Sequence, residues 1–313
     1  MCKHLIFILV FIIMLPVSAQ KTGKKYRIDR YESIYLPLGK ISFADSLVSF
    51  KMGIPEPIEK FSDPLQCLHE PDYKNYHIPN FTSIGCAGTI TVAFTDNGFM
   101  NLPGRDLYIF EVGPSRESAS IEISEDGNTW LAAGKISGGK SSIDLEDHKI
   151  PTDVVYYYLR ITDLKGMCKS KTAGADIDAI AAVNSVIKLT INADVLFDIA
   201  KFQLKEEAHK TLIELSETIK KVDKATIRIE GHTDSDGEHE YNQVLSENRC
   251  LTVKDRIEAL LGYEALYDYD IKAFGETKPK LENTTVENKK MNRRVEITVL
   301  PPKDFYKNLQ YKK

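Results

Sequence analysis

The sequence changes texture near residue 185, and that change constrains the fold more than any other feature. Residues 40–184 hold most of the Gly and Pro and several short runs rich in Val, Ile, Tyr and Phe. These are ITVAF (90–94), DLYIFEV (106–112), SIEIS (120–124) and VVYYYLRI (154–161). Turn signals bound them: DNG at 96–98, PGRD at 103–106, EDGN at 125–128 and SGG at 137–139. Short β-type runs separated by such turns, with no long helical period, predict an antiparallel sandwich.

After residue 185 strand and helix patterns alternate. VIKLTI (186–191) reads as a strand. Ala208, Leu212, Leu215, Ile219 and Val222 recur at helical spacing. ATIRIEG (225–231) alternates as a half-buried strand does. Val253, Ile257, Leu260 and Leu261 mark a second helix stopped by Gly262, and YDIKAFG (269–275) and RRVEITVL (293–300) supply two more strands. The order β-α-β-α-β-β predicts a compact α/β domain. The expected organisation is two domains, 40–184 and 185–300. A loosely ordered leader (20–39) precedes them and a mobile polar tail (301–313) follows.

The first nineteen residues read as a secretory signal. Lys3 and His4 precede eleven apolar residues (Leu5–Leu15), and Val17 and Ala19 form a small-residue cleavage pattern. No Cys follows the expected cut, so no lipid anchor is predicted. An exported chain permits disulfides among Cys67, Cys86, Cys168 and Cys250, and their spacing selects no pairing. The net charge is −4, from 41 basic and 45 acidic residues, which argues against a nucleic-acid partner.

The strand at 225–231 runs into GHTDSDG, and the following helix carries EYNQVLSENR. Asp234 and Arg249 therefore stand near one strand end, an acid in a loop and a guanidinium in a helix. Together such groups can hold a zwitterion, the acid accepting from an ammonium and the guanidinium gripping a carboxylate. A calcium loop in HTDSDGEHEYNQ is argued against because position twelve is Gln243, not Glu.

VLFDIAKFQLKEEAHKTL (195–212), IRIEGHTDSDG (227–237), YNQVLSENR (241–249), FGETKP (274–279) and MNRRVEI (291–297) follow one another in order. In these blocks residues 188–300 resemble the OmpA-like C-terminal domain, a module that holds peptidoglycan non-covalently. The resemblance implies recognition of the peptide stem, typically its meso-diaminopimelate. By position Asp234 matches the acid that takes the ligand's ammonium, and Arg249 the arginine that takes its carboxylate. Asn242 and Arg293 match accessory contacts, and Thr233 and Leu245 shape the loop. There are departures: Ala200 stands where many members carry a polar residue, Cys250 replaces the usual Ala, and Asn288-Lys289 replaces a common Gly-Arg.

GCAGTITVAFTDN, GRDLYIFEVG, ASIEISEDGNTW and GADIDAIAAV resemble segments of discoidin or galactose-binding cell-surface domains, which implies a jelly-roll-like sandwich for residues 40–184. Asp106, Glu111, Asp176 and Asp178 lie on or beside strand-like runs. Asp176 and Asp178, two apart, would share a strand face, an arrangement a calcium ion would offset. No other cofactor is expected. Trp130 and Tyr156–Tyr158 read as core residues rather than as a sugar platform.

The expected function is that of a non-catalytic envelope protein, periplasmic, bound to the cell wall and associated with the outer membrane. Its N-terminal sandwich would bind another envelope partner, such as an outer-membrane protein, or a glycan. The alternative is a wall or glycan hydrolase using carboxylates such as Glu111 and Glu122. No nucleophile elbow, H-E-x-x-H or Cys/His pattern supports that alternative.

Overall fold

The computed structural model describes residues 23–305, apart from 114–116, 140, 167 and 263–265. The predicted signal segment and the end of the polar tail lie outside the described residues.

Among the described residues twelve strands precede residue 185. They are β1 (Lys24–Arg27), β2 (Ser33–Leu36), β3 (Ser46–Lys51), β4 (Thr82–Ser83), β5 (Thr89–Ala93), β6 (Gly98–Phe99), β7 (Leu107–Glu111), β8 (Ala119–Ser124), β9 (Leu131–Ile136), β10 (Ser141–Ile143), β11 (Tyr158–Asp163) and β12 (Asp176–Ala182). All of them but β6 build a β1–β2 hairpin, a four-stranded sheet (β10-β7-β12-β4) and a five-stranded sheet (β3-β5-β11-β8-β9). Period-two patterning explains the larger sheet. In β8, Ala119, Ile121 and Ile123 are buried while Ser120 and Glu122 are half-buried. Side chains from both larger sheets fill one apolar cluster, with Val92, Ile121 and Leu159 from one and Leu107, Ile109 and Ile177 from the other.

Strand β12 is buried at every position. Ile177, Ile180 and Ala182 join the shared cluster, while Ala179 and Ala181 join a second one with Tyr26, Ile34, Leu36 and Phe43. The hairpin therefore covers the other side of the four-stranded sheet. Its residues lie in the segment expected to be a loose leader, so that expectation is corrected for 23–36. Its strands are only four residues long and make up a hairpin, which is marginal in water on its own; it is ordered because it covers Tyr108 and Phe110. Phe305, from the segment expected to be mobile, packs against the same cluster.

Residues 185–300 fold as β13 (Ser185–Asn192), α1 (Ala193–Leu196), α2 (Ala208–Ile219), β14 (Ala225–His232), α3 (His239–Leu261), β15 (Tyr267–Gly275), α4 (Val286–Asn292) and β16 (Arg294–Leu300). The short helices α1 and α4 were not predicted: four and seven residues are too few to display a helical period. The sheet order is β15-β14-β16-β13-β6, so β6, from the first half of the chain, adds an outer strand. Among the described residues of this sheet only the β14–β15 pair is parallel, with α3 in its crossover. Helices α2 and α3 bury Leu212, Leu215, Ile219, Val253 and Ile257 against Ile227, Ile229, Ile297 and Val299.

Gly231 lets α3 lie close on β14. A Cβ there would meet Ser246 O at 2.5 Å and Cys250 Sγ at 2.6 Å. The disulfide joins Cys86 to Cys168, and Cys67 and Cys250 are buried free thiols. Among the described residues no helix is long and apolar enough to cross a membrane.

Candidate functional site

Strand register places three chain segments at one end of the C-terminal sheet. Arg294, at the start of β16, pairs with Asn192 at the end of β13 and with His232 at the end of β14. The loop after β14 carries Thr233 and Asp234, α1 carries Asp194, and Arg293 caps α4. The buried stripe of α3 runs Asn242, Leu245, Ser246, Arg249, Cys250, Val253, Ile257. Its first half is polar except for Leu245 and faces this sheet end; its second half is apolar and enters the core.

Asp234 is 6% exposed and Arg249 3%. Asp234 Oδ1 accepts from the Asp236 N–H at 3.0 Å, and Oδ2 accepts from Arg293 Nη1 at 2.6 Å. Arg249 donates from Nε to Lys201 O at 2.9 Å and from Nη2 to Asp198 O at 3.5 Å, and its guanidinium lies over the Phe197 ring. Its Nη1 has no hydrogen-bond partner among the described residues and is not one of the enclosed polar atoms. It is therefore the donor this arginine still offers. Burial lowers the Arg249 pKa, and Asp194 and Asp234 act against that by favouring the charged form. Asp234 and Arg249 do not form a direct ion pair among the described residues; Arg293 sits on the acid instead.

The other predicted residues divide by role. Arg293 is part of the charged group. Asn242 is 2% exposed, and its Nδ2 donates to Asp236 O at 3.1 Å, to Asp234 O at 3.4 Å and to a Glu276 carboxylate oxygen. That amide holds the loop from behind. Thr233 is buried as well, its hydroxyl donating to Asp234 O and its N–H to Gly275 O. Leu245 is buried on α3. Ala200, one of the departures, adopts a left-handed φ of 57° and its carbonyl accepts from Tyr241 Oη.

Sequence reasoning missed two residues here. Asp194 binds Arg293 through both oxygens, at 2.9 Å to Nε and 2.7 Å to Nη2. Glu276 grips Asn242 and stands 3.5 Å from His239. The available signal was Asn192, whose side chain accepts from the Asp194 N–H and marks a helix start with an acid in its first turn. His232 is the buried last residue of β14. It stacks on Phe274, and burial lowers its pKa to about 4.

In the N-terminal region the four acids proposed for calcium are not gathered into one ligand set. Among the described residues no group of three or more His, Cys, Asp or Glu is arranged for a metal ion. Asp106 accepts from the Leu102 and Leu145 N–H groups and from Asn184 Nδ2. Asp176 accepts from Ser83 Oγ, whereas Asp178 accepts from the Asp72 and Tyr73 N–H groups. A bulge between Ile177 and Ala179 breaks the alternation on which the shared face depended. Glu111 stands on β7, and its enclosed Oε1 has no partner among the described residues. Tyr156 is core, but Trp130 is half-buried under the Arg160 guanidinium, 4.1 Å from its ring centre.

The chain is 33% identical over 141 residues to outer membrane porin F of Pseudomonas aeruginosa, covering 44% of this chain and 39% of that protein. It is 30% identical over 147 residues to the probable lipoprotein YiaD of Escherichia coli, covering 47% of this chain and 65% of that one. The chain thus spans less than two thirds of the length of either relative. Among solved structures, the cell wall anchor of the T6SS from Pseudomonas aeruginosa is 30% identical, with 39% of this chain and 85% of that chain covered and a TM-score of 0.33. The profile of the OmpA family matches residues 196–293, and this stretch of the chain is an OmpA family domain.

Proposed function

We propose that the protein is a non-catalytic component of the cell envelope that holds peptidoglycan without a covalent bond. The ligand is the diaminopimelate of the peptide stem. Asp234 accepts from its ammonium, and Arg249 donates from Nη1 to its carboxylate. The observation that carries this reading is the buried charged group at the sheet end, in which Arg249 retains one open donor beside an acid. The family of residues 196–293 and the relatives' descriptions as an outer membrane porin and a probable lipoprotein support it. The protein would then reside in the periplasm, bound to the wall and near the outer membrane. The strand-rich N-terminal region would meet a different envelope partner or a glycan.

Pull-down of the mature protein on purified sacculi tests the reading. Wild type sediments with the sacculi; Asp234→Ala and Arg249→Ala stay in solution while keeping the wild-type circular dichroism spectrum. Each charge-assisted hydrogen bond contributes about 1.5–3 kcal/mol, enough to remove most retention when one is lost. Full retention of both variants refutes the assignment. Sacculi incubated with the protein keep their turbidity; clearing would point to a hydrolase instead.

A further inference from the structure

Two carboxylates share one guanidinium at the sheet end. Asp194 holds Nε and Nη2 of Arg293, the paired fork of that side chain, and leaves only Nη1 for Asp234. Asp194 itself is held in place. Its N–H is capped by Asn192, and its carbonyl accepts from Lys205 Nζ at 3.3 Å. The Arg293 guanidinium favours the charged form of Asp194 and holds its pKa below the usual carboxylate range.

The charge count gives this arrangement a consequence. Asp194 and Asp234 are balanced by Arg293 and Arg249. With Asp194 neutralised, the fork of Arg293 has no acid but Asp234, and the group carries one net positive charge. Asp234 would then be fully matched by a guanidinium and would offer little to an incoming ammonium. We propose that Asp194 is a positioning and specificity residue, which restrains Arg293 so that Asp234 keeps its negative charge for the ammonium of an amino-acid ligand. This rests on the ligand reading proposed above.

The test uses the mature protein and two soluble probes, meso-diaminopimelate and pimelate, which has the same carbon chain and no amines. Calorimetry of wild type shows tighter binding of diaminopimelate. Asp194→Asn weakens diaminopimelate by about tenfold, the loss expected of one charge-assisted contact, and leaves pimelate unchanged or tighter. Asp194→Glu, which keeps the charge, recovers the preference at least in part. Equal losses for both probes would reduce Asp194 to a structural residue and overturn the proposal, as would an Asp194→Asn variant that binds both probes like wild type. Wild type that binds neither probe, or an Asp234→Ala variant that binds diaminopimelate normally, overturns the ligand reading itself. The two failures are therefore distinct.

Discussion

The two halves of the chain bury acids in opposite ways. In the N-terminal region Asp106, Glu111, Glu117, Asp176 and Asp178 sit in or beside strands with neutral donors or none. Among the described residues Glu111, Glu117, Asp163 and Asp176 each leave one enclosed carboxylate oxygen without a partner. Burial raises the pKa of Asp106, Glu111 and Asp176 to about 7 and that of Asp178 to about 6. Glu117 rises to about 9, from burial first and then from Asp176, Asp163 and Glu111. In the C-terminal region the buried acids stand against cations. Burial also acts to raise the pKa of Glu296, but Lys188 at 2.7 Å and Arg294 at 2.6 Å outweigh it and lower the value to about 2. Burial thus raises carboxylate pKa values in one half, whereas counter-ions hold a buried carboxylate in its charged form in the other.

Breaking a buried ion pair should produce the largest effect. Glu296→Ala leaves Arg294 and Lys188 without their shared acid, and it costs about 3–5 kcal/mol in denaturant unfolding. A loss below about 1 kcal/mol would mean that water already reaches the pair. Next is the covalent tie of the N-terminal region. The disulfide spans 82 residues, and Cys86→Ser with Cys168→Ser costs about 2–4 kcal/mol. Amide hydrogen exchange should place that loss in residues 40–184, with the strands of 225–300 unchanged.

The pH dependence should split the halves. A raised carboxylate pKa means that the folded state keeps a proton the unfolded chain releases. The Glu117 contribution is therefore complete below its ordinary value of 4.5 and is lost as pH rises toward about 9. Glu296 has the opposite sign: its contribution is complete above 4.5 and is lost as pH falls toward about 2. Glu117→Gln should raise the melting temperature at pH 9 by about 2–4 °C for each kcal/mol recovered, and should change little at pH 4.5. A uniform shift at both pH values would show that the effect is packing and not charge. The smallest effect belongs to the exposed pair of Lys289 and Asp236, at 2.5 Å, where Lys289→Ala costs about 0–1 kcal/mol of stability.

The strands β5, β7, β8, β13, β14, β15 and β16 and the helices α2 and α3 were legible because their patterns repeat within a few residues. Ile227 and Ile229 alternate along a strand, and Val253 and Ile257 are one helical turn apart. Asp234 and Arg249 were legible for a different reason: their spacing lies inside motif blocks that resemble a known domain. The leader was misjudged because its order depends on Tyr108 and Phe110, far along the chain. The grouping of the N-terminal acids failed at a bulge, which no local pattern announces.

By itself the sequence determined where the β-rich half ends, which faces of α2 and α3 are apolar, and that an acid and an arginine flank one strand end. Only the tertiary structure decided which charges meet. Asp194 and Arg293 are 99 residues apart and come together because Asn192 pairs with Arg294 across β13 and β16. The Cys86–Cys168 pairing and the strand that β6 lends to the rear sheet arise in the same way. Backbone periodicity is set by neighbours in the chain, whereas the partner of a buried charge is set by strand register, which depends on the packing of the whole sheet.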